Sequence, residues 1–170
     1  MKNVEDGIFK IYMSHWIRGP KGVNATVEDI KENIKNNIII GTIIKSYLID
    51  WEKMDGLPKC HLYVPAEHDE FVQIAFEKHY VSEQEILDVD CSIIDSCDLL
   101  LVYGDYMSSR GMKVEIEHAL SVGIPVYYMS TIDASNLHGL KTSILLVEKI
   151  GENADLDEDI EMEDDNEMDE

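Results

Sequence analysis

Two stretches of this chain place chemically active side chains where they could share one site. The first is Tyr12-Met-Ser-His-Trp-Ile-Arg18-Gly19 and the second is Ser109-Arg-Gly-Met-Lys-Val-Glu115. In the second, a polar loop containing Gly111 leads into a helical pattern over Met112–Val122. The first amides of such a helix have no intrahelical partner and favour an anion. Glu115 falls about one turn inside it. A carboxylate held there beside a bound sugar can act on the anomeric carbon, either as a nucleophile or by stabilising an oxocarbenium-like transition state. Asp90 and the Glu67-His68 pair lie between the two stretches and are further candidates.

These residues need elements to hold them. Ile8–Ser14 reads as a first strand, followed by a loop, Arg18–Val23. A long helical pattern opens with Thr26 or Asn24 as N-cap and runs to about Ile49, with Val27, Ile30, Ile34, Ile38 and Leu48 at helical spacing. Gly56-Leu57-Pro58 ends that unit. His61–Pro65 is a short strand, and Glu70–Tyr80 and Ser82–Cys97 read as helices; Ser82 and Glu85 match a capping box. Asp98–Gly104 is a continuous apolar run, as in a strand buried on both faces. Gly123 stops the next helix, Pro125–Met129 is a strand, and Ile144–Glu148 is a candidate for a last one. The alternation predicts an α/β fold, a flavodoxin/Rossmann-like parallel sheet with helices on both faces. Ligands bind such sheets beyond the carboxyl ends of the strands, which directs attention to the loops at 14–21, 66–69 and 104–111.

The net charge of −21 is unevenly spread: residues 151–170 hold twelve acids and no Lys or Arg, leaving −9 on residues 1–150. The expected division is therefore a folded α/β domain over 1–150 and an acidic, disordered tail over 151–170. The acidic body argues against a grip on a nucleic-acid polymer, although one Arg and a few amides suffice for a single phosphate. The N-terminus lacks the pattern of a signal peptide, and the longest apolar runs are too short to span a bilayer. Three cysteines, Cys60, Cys91 and Cys97, without a metal-type pair, read as reduced thiols, and the expected location is cytoplasmic. His61 and His68 lack an acid or Cys at metal spacing, so no metal is expected. His15, His79, His118 and His138 are read as structural or exposed.

Taken together, the motifs resemble the nucleoside 2-deoxyribosyltransferase superfamily, and within it the 2′-deoxynucleoside 5′-monophosphate N-hydrolases. That branch carries Y-x-x-G-S-I-R-G-G on its first strand, matched by Tyr12 to Pro20. Its D-L-x-x-x-x-x-A-D is matched by Asp90 to Asp98, and its S-x-G-x-x-x-E-x-G-x-A by Ser109 to Ala119, with Gly123 following. The Glu67-His68 pair after the second strand also matches. The likeness covers roughly residues 7–140. It implies that Glu115 is the carboxylate acting at C1′. Asp90 is then the acid that either helps protonate the leaving base or positions the sugar. By the same resemblance Tyr12 lies under the sugar and orients Glu115. Arg18, Gly19, Ser109 and Gly111 form the 5′-phosphate site, and Ile17 and His68 line the base and sugar pocket. The resemblance further implies a homodimer in which the neighbouring subunit lends a Ser to the phosphate site, for which Ser135 is the candidate, and no cofactor.

The chain departs from the pattern at several points. His15-Trp16 replaces Gly-Ser, so the base pocket should be narrower, with Trp16 stacking on or blocking the base and favouring a pyrimidine. Lys113 and Glu117 replace two glycines; Lys113 either adds charge to the phosphate or faces solvent. The expected activity is hydrolysis of the N-glycosidic bond of a (deoxy)nucleoside 5′-monophosphate. The rivals are a transferase that moves deoxyribose between bases and a nucleotide-binding sensor without catalysis. A fold alone does not choose among them.

Overall fold

The computed structural model describes the backbone of residues 7–164 and the side chains of residues 7–151. The elements are β1 (Ile8–His15), α1 (Val27–Asp55), β2 (Lys59–Tyr63), α2 (Asp69–Glu77), α3 (Glu83–Ile94), β3 (Leu99–Tyr103), α4 (Arg110–Ser121), β4 (Val126–Met129) and α5 (Ala134–Asp164). Short 3-10 turns precede α1, α2 and α4. The four strands form one parallel sheet in the order β2-β1-β3-β4. This is the flavodoxin-like α/β arrangement, and the chain changes direction across the sheet between β1 and β3. The register pairs His15 with Tyr103, so the carboxyl ends of β1 and β3 open side by side at that switch point.

Strand alternation sorts the core into two layers. Ile11 and Met13 of β1, with Leu99 and Leu101 of β3, face α1 and α5 through Ile44, Leu48, Leu140 and Ile144. Tyr12, Leu100 and Val102 point the other way, to Ile94 of α3 and Met112, Ile116 and Ala119 of α4. Helices thus cover both faces of the sheet.

Local chemistry fixes the helix ends. Thr26 and Asp29 cap α1 reciprocally, Ser82 and Glu85 do the same for α3, and Gly56 ends α1 in the left-handed conformation at φ 68°. Gly41 of α1 lets that helix approach the end of β2, since a Cβ there would lie 2.7 Å from Val64 Cγ2.

One sequence expectation is corrected. Ile144–Glu148, a candidate strand, is part of α5. A short apolar run does not distinguish a strand from a buried helix by itself, and here Leu137, Leu140 and Ile144 repeat at three and four residues and are buried against the sheet. Past 151 the backbone of α5 continues helical to Asp164. Its acidic stretch contains no proline and no glycine after Gly151, so nothing in the chain terminates the helix there. The remainder of the expected tail, residues 165–170, lies outside the described residues. Among the described residues no helix is long and apolar enough to cross a membrane.

Candidate active site

A cleft of about 660 Å³ opens beyond the carboxyl ends of β1 and β3. This is a size suited to a small-molecule ligand. The loop after β1 contributes Trp16, Ile17, Arg18 and Gly19; the segment after β2 contributes His68 and Asp69. Asp90 comes from α3, and Ser109, Gly111 and Glu115 from the start of α4. Apolar side chains of α1, α2 and α3, among them Ile30, Ile34, Val72, Phe76 and Ile86, form the rest of the wall.

Glu115 is the centre of the polar side. It is only 7% exposed and both of its oxygens are held. The Tyr12 hydroxyl donates to Oε1 at 3.0 Å, and the Ser14 hydroxyl donates to Oε2. The reason is the pleat. Tyr12 and Ser14 are two apart on β1, so both point to the face that α4 covers, and α4 brings Glu115 down onto them. Burial pushes the Glu115 carboxyl up to about 8; the Ser14 and Tyr12 hydrogen bonds pull it down, and the Asp90 and Asp69 charges add to the rise. Tyr12 is fully buried, and burial together with the charges of Glu115 and Asp90 holds its hydroxyl well above the usual range, so it stays a neutral donor.

Asp90 stands near the same hydroxyl. Burial lifts it to about 6, opposed by the polar Tyr12 hydroxyl nearby and reinforced by the charge of Asp69. Two neighbouring carboxyl groups that titrate across neutrality can hold one proton between them, one acting as acid and the other as base. The two hydroxyls aimed at Glu115 favour the anion there once a positive charge develops beside it.

The loop after β1 is pinned from below. Asn37 Nδ2 donates to the Trp16 carbonyl and Asn33 Nδ2 to the Ile17 carbonyl, each at 3.0 Å. Gly19 takes φ +62°, and a Cβ there would meet Asn33 Nδ2 at 2.8 Å, so the turn requires glycine on both counts. Trp16 is half-buried and packs against the α3/α4 core while lining the cleft. Arg18 is exposed at the rim and, among the described residues, has no ion-pair partner. Ser109 caps α4, its hydroxyl accepting from the Met112 amide at 3.3 Å. The Arg110 and Gly111 amides at that helix start have no intrahelical acceptor. An anion between Arg18 and this helix start would meet a guanidinium and two free N–H groups.

The structure thus brings Trp16, Ile17, Arg18, Gly19, His68, Asp90, Ser109, Gly111 and Glu115 to one cleft, with Tyr12 as the support beneath Glu115. Ser135 does not line the cleft of its own chain; it is exposed in the first turn of α5. Lys113 is exposed and outside the cleft, as is Glu117. His68 stacks on Tyr63 with ring centres 5.4 Å apart, and Glu67 faces away into an ion pair with Lys45 at 2.5 Å. Among the described residues no group of three or more His, Cys, Asp or Glu is arranged to hold a metal. The thiols of Cys60 and Cys97 are pushed up to about 12 and about 11, and that of Cys91 is also raised, each chiefly by burial, which leaves them protonated and unreactive.

Three residues of the site have no role assigned by the sequence motifs. Ser14 is recoverable in hindsight, since any residue two from Tyr12 on a strand shares its face. His15 is 8% exposed; its Nε2 accepts from the Ala66 amide at 3.2 Å, and burial lowers it to about 4, so the ring is neutral with its proton on Nδ1. That Nδ1 has no hydrogen-bond partner. Asp69 is 7% exposed, its Oδ2 is also without a partner, and burial raises it to about 6 against the pull of His68. An unmade hydrogen bond at a buried polar atom costs about 1–3 kcal/mol, and the sequence motifs give neither residue a role of its own.

Residues 59–129 match DUF7768, a domain of unknown function. The match spans β2 to β4 and includes Asp69, Asp90, Ser109, Gly111 and Glu115, but not the loop after β1. No curated protein and no solved structure matches the chain.

Proposed function

We propose that the protein is an N-glycosidase that hydrolyses (deoxy)nucleoside 5′-monophosphates to free base and (deoxy)ribose 5-phosphate. The observation that carries this reading is the pair of carboxyl groups, Glu115 and Asp90, at a cleft whose rim carries Arg18 and the capped start of α4. The acids supply the chemistry of an anomeric centre, and the rim supplies an anion site at a distance from it.

In this reading Arg18, Ser109 and the amides around Gly111 hold the 5′-phosphate, and Gly19 lets the loop close on it. Binding energy from the phosphate then positions C1′ against Glu115. Tyr12 and Ser14 keep that carboxyl pointed at the sugar. The pair brings one proton, which rests on Glu115 in the free site and passes to Asp90 as the nucleotide binds; the freed Glu115 oxygen attacks C1′, or faces it as the cation forms, while the C1′–N bond breaks and the base leaves with that proton from Asp90. Water then adds at C1′, giving up a proton to the Asp90 carboxylate. Any ester to Glu115 is released as the carboxylate. Atoms balance as nucleotide plus water giving base plus sugar phosphate, and these residues need no cofactor. Ile17 and His68 line the base and sugar pocket, and Trp16 narrows it toward pyrimidines. The likeness to the deoxynucleotide N-hydrolases supports a cytoplasmic homodimer, with the partner subunit's Ser135 reaching the phosphate.

The test is incubation with a panel of nucleoside 5′-monophosphates and unphosphorylated nucleosides, with released base read by chromatography. Base release from monophosphates in preference to nucleosides is the expected result. Exchange of sugar onto an added second base, without net hydrolysis, would replace the reading by a transferase. Binding without release of base from any nucleotide would replace it by a sensor.

A further inference from the structure

Asp69 makes no side-chain hydrogen bond or ion pair with the described residues. It is the first residue of α2, where an acid suits the helix dipole, yet it does not cap that helix: the N-cap is His68, and no side-chain capping hydrogen bond is made there. The other helix starts of the sheet layers are served, α1 by Thr26 and Asp29, α3 by Ser82 and Glu85, and α4 by Ser109. Asp69 is nevertheless buried, lines the cleft, and leaves Oδ2 without a partner, in company with the carboxyl groups of Asp90 and Glu115. A third buried acid with an oxygen left without a partner is costly beside two others, and a ligand that donates to that oxygen would offset the cost.

Its place within the cleft narrows that ligand. The phosphate of the proposed substrate is held at the other group of residues, Arg18 and the start of α4. Asp69 instead follows His68, whose ring stacks on Tyr63, and its charge is felt by Asp90, the acid assigned to the leaving base. Resting on the glycosidase reading, we propose that Asp69 is a specificity-determining residue whose unpartnered carboxyl oxygen accepts a hydrogen bond from the exocyclic amine of the bound base. A carboxylate only accepts, so it welcomes an amine and repels a keto oxygen. Because Asp69 titrates at about 6, the ionised form prevails at pH 7.5. With Trp16 narrowing the pocket, the favoured substrate class is an amino-pyrimidine nucleotide of the cytosine type.

The experiment compares kcat/KM for dCMP and dUMP at pH 7.5, which differ at the amine and keto positions of the ring. The wild type should prefer dCMP at least tenfold, since a site built around a hydrogen bond rejects the analogue lacking it. In Asp69→Leu the ratio should fall toward one, and in Asp69→Asn, whose amide can donate, it should move toward dUMP. Both variants should melt no lower than the wild type, because a buried acid without a partner has been removed. A wild-type ratio within threefold of one, or a ratio unchanged in Asp69→Asn, overturns the proposal. If purines are the better substrates, dAMP and dIMP carry the same amine and keto contrast. If no nucleotide releases base, the glycosidase reading fails by itself, and calorimetric binding of dCMP and dUMP then decides on Asp69. A tenfold tighter dCMP that is lost in Asp69→Asn supports the assignment, and equal affinities overturn it.

Discussion

Tyr12 and Glu115, 103 residues apart in the chain, are joined by a 3.0 Å hydrogen bond in the buried floor of the cleft. With Ser14 on the second oxygen, this contact makes the orientation of the acid a property of the sheet rather than of α4 alone. A carboxyl on a helix would otherwise rotate among its rotamers.

Replacing Glu115 by Gln preserves its shape and both hydroxyl neighbours while removing the charge. We expect turnover on the best nucleotide to fall by roughly 10³-fold or more, with nucleotide binding retained, because the stabilisation lost belongs to the transition state. Steady-state kinetics beside calorimetric titration would separate the two, and near-normal turnover would discard the assignment.

Tyr12→Phe and Ser14→Ala each leave one Glu115 oxygen without its donor. Both hydrogen bonds pull the carboxyl down, so either variant should move the Glu115 titration further upward and the matching limb of the pH–rate profile with it. The expected loss in kcat is roughly 10–100-fold for each, on the basis of about 1.5–3 kcal/mol for a hydrogen bond to a charged group. A pH profile that stays in place in both variants would show that these contacts do not tune the acid.

Stability should depend on pH in a direction opposite to that of an ordinary paired carboxylate. Glu115 is raised from 4.5 to about 8, and Asp90 and Asp69 from 3.8 to about 6. The folded state therefore holds more protons than the unfolded one. The stabilisation is complete below the unfolded values and is lost as pH rises through the folded ones. His15, lowered from 6.5 to about 4, acts the other way, but only between those two values. Between pH 6.5 and 8 Glu115 is left to dominate this set, and the limiting slope is about 1.4 kcal/mol per pH unit. Melting temperature should fall across that window, and Glu115→Gln should flatten the fall. A wild-type curve that rises there would contradict the buried, protonated acid.

Arg18→Ala removes the guanidinium at the cleft rim. For a monophosphate we expect kcat/KM to drop by roughly 10²-fold, in line with about 1.5–3 kcal/mol for a charge-assisted contact. The parent nucleoside should lose far less, so the ratio of the two substrates is the measurement. Equal losses on both would place Arg18 outside the phosphate site.

Gly41→Ala tests the packing that seats β2 and its following loop. The added Cβ would lie 2.7 Å from Val64 Cγ2, and Val64 is fully buried and β-branched, so it has little room to turn. A loss of about 1–3 kcal/mol in chemical denaturation is expected; an unchanged midpoint would mean that α1 shifts freely on the sheet.

Much of this was legible in the residues alone. The apolar run at Leu99–Val102, the caps at Thr26 and Ser82 and the glycine at 56 are local signals, and local sterics and hydrogen bonding decide them wherever they occur. The run at 144–148 was ambiguous because burial against a sheet selects helix or strand by context, and context was not in the run. Likewise the places of Arg18 after a strand and of Ser109 and Glu115 at a helix start pointed to a shared site, and the family resemblance added Tyr12 and Asp90 to it.

The tertiary structure alone decided which of these side chains meet and which stand unpaired. Tyr12 and Ser14 reach Glu115 because the parallel pairing of β1 with β3 fixes which face of the pleat lies under α4, and that pairing depends on contacts about a hundred residues apart. Asp69 reads as an ordinary helix-start acid in the sequence; only the packing around it shows a buried carboxyl with an oxygen left without a partner. Local patterns set the elements because each is decided by neighbours in the chain, whereas proximity and desolvation across the cleft arise only when distant elements close on one another.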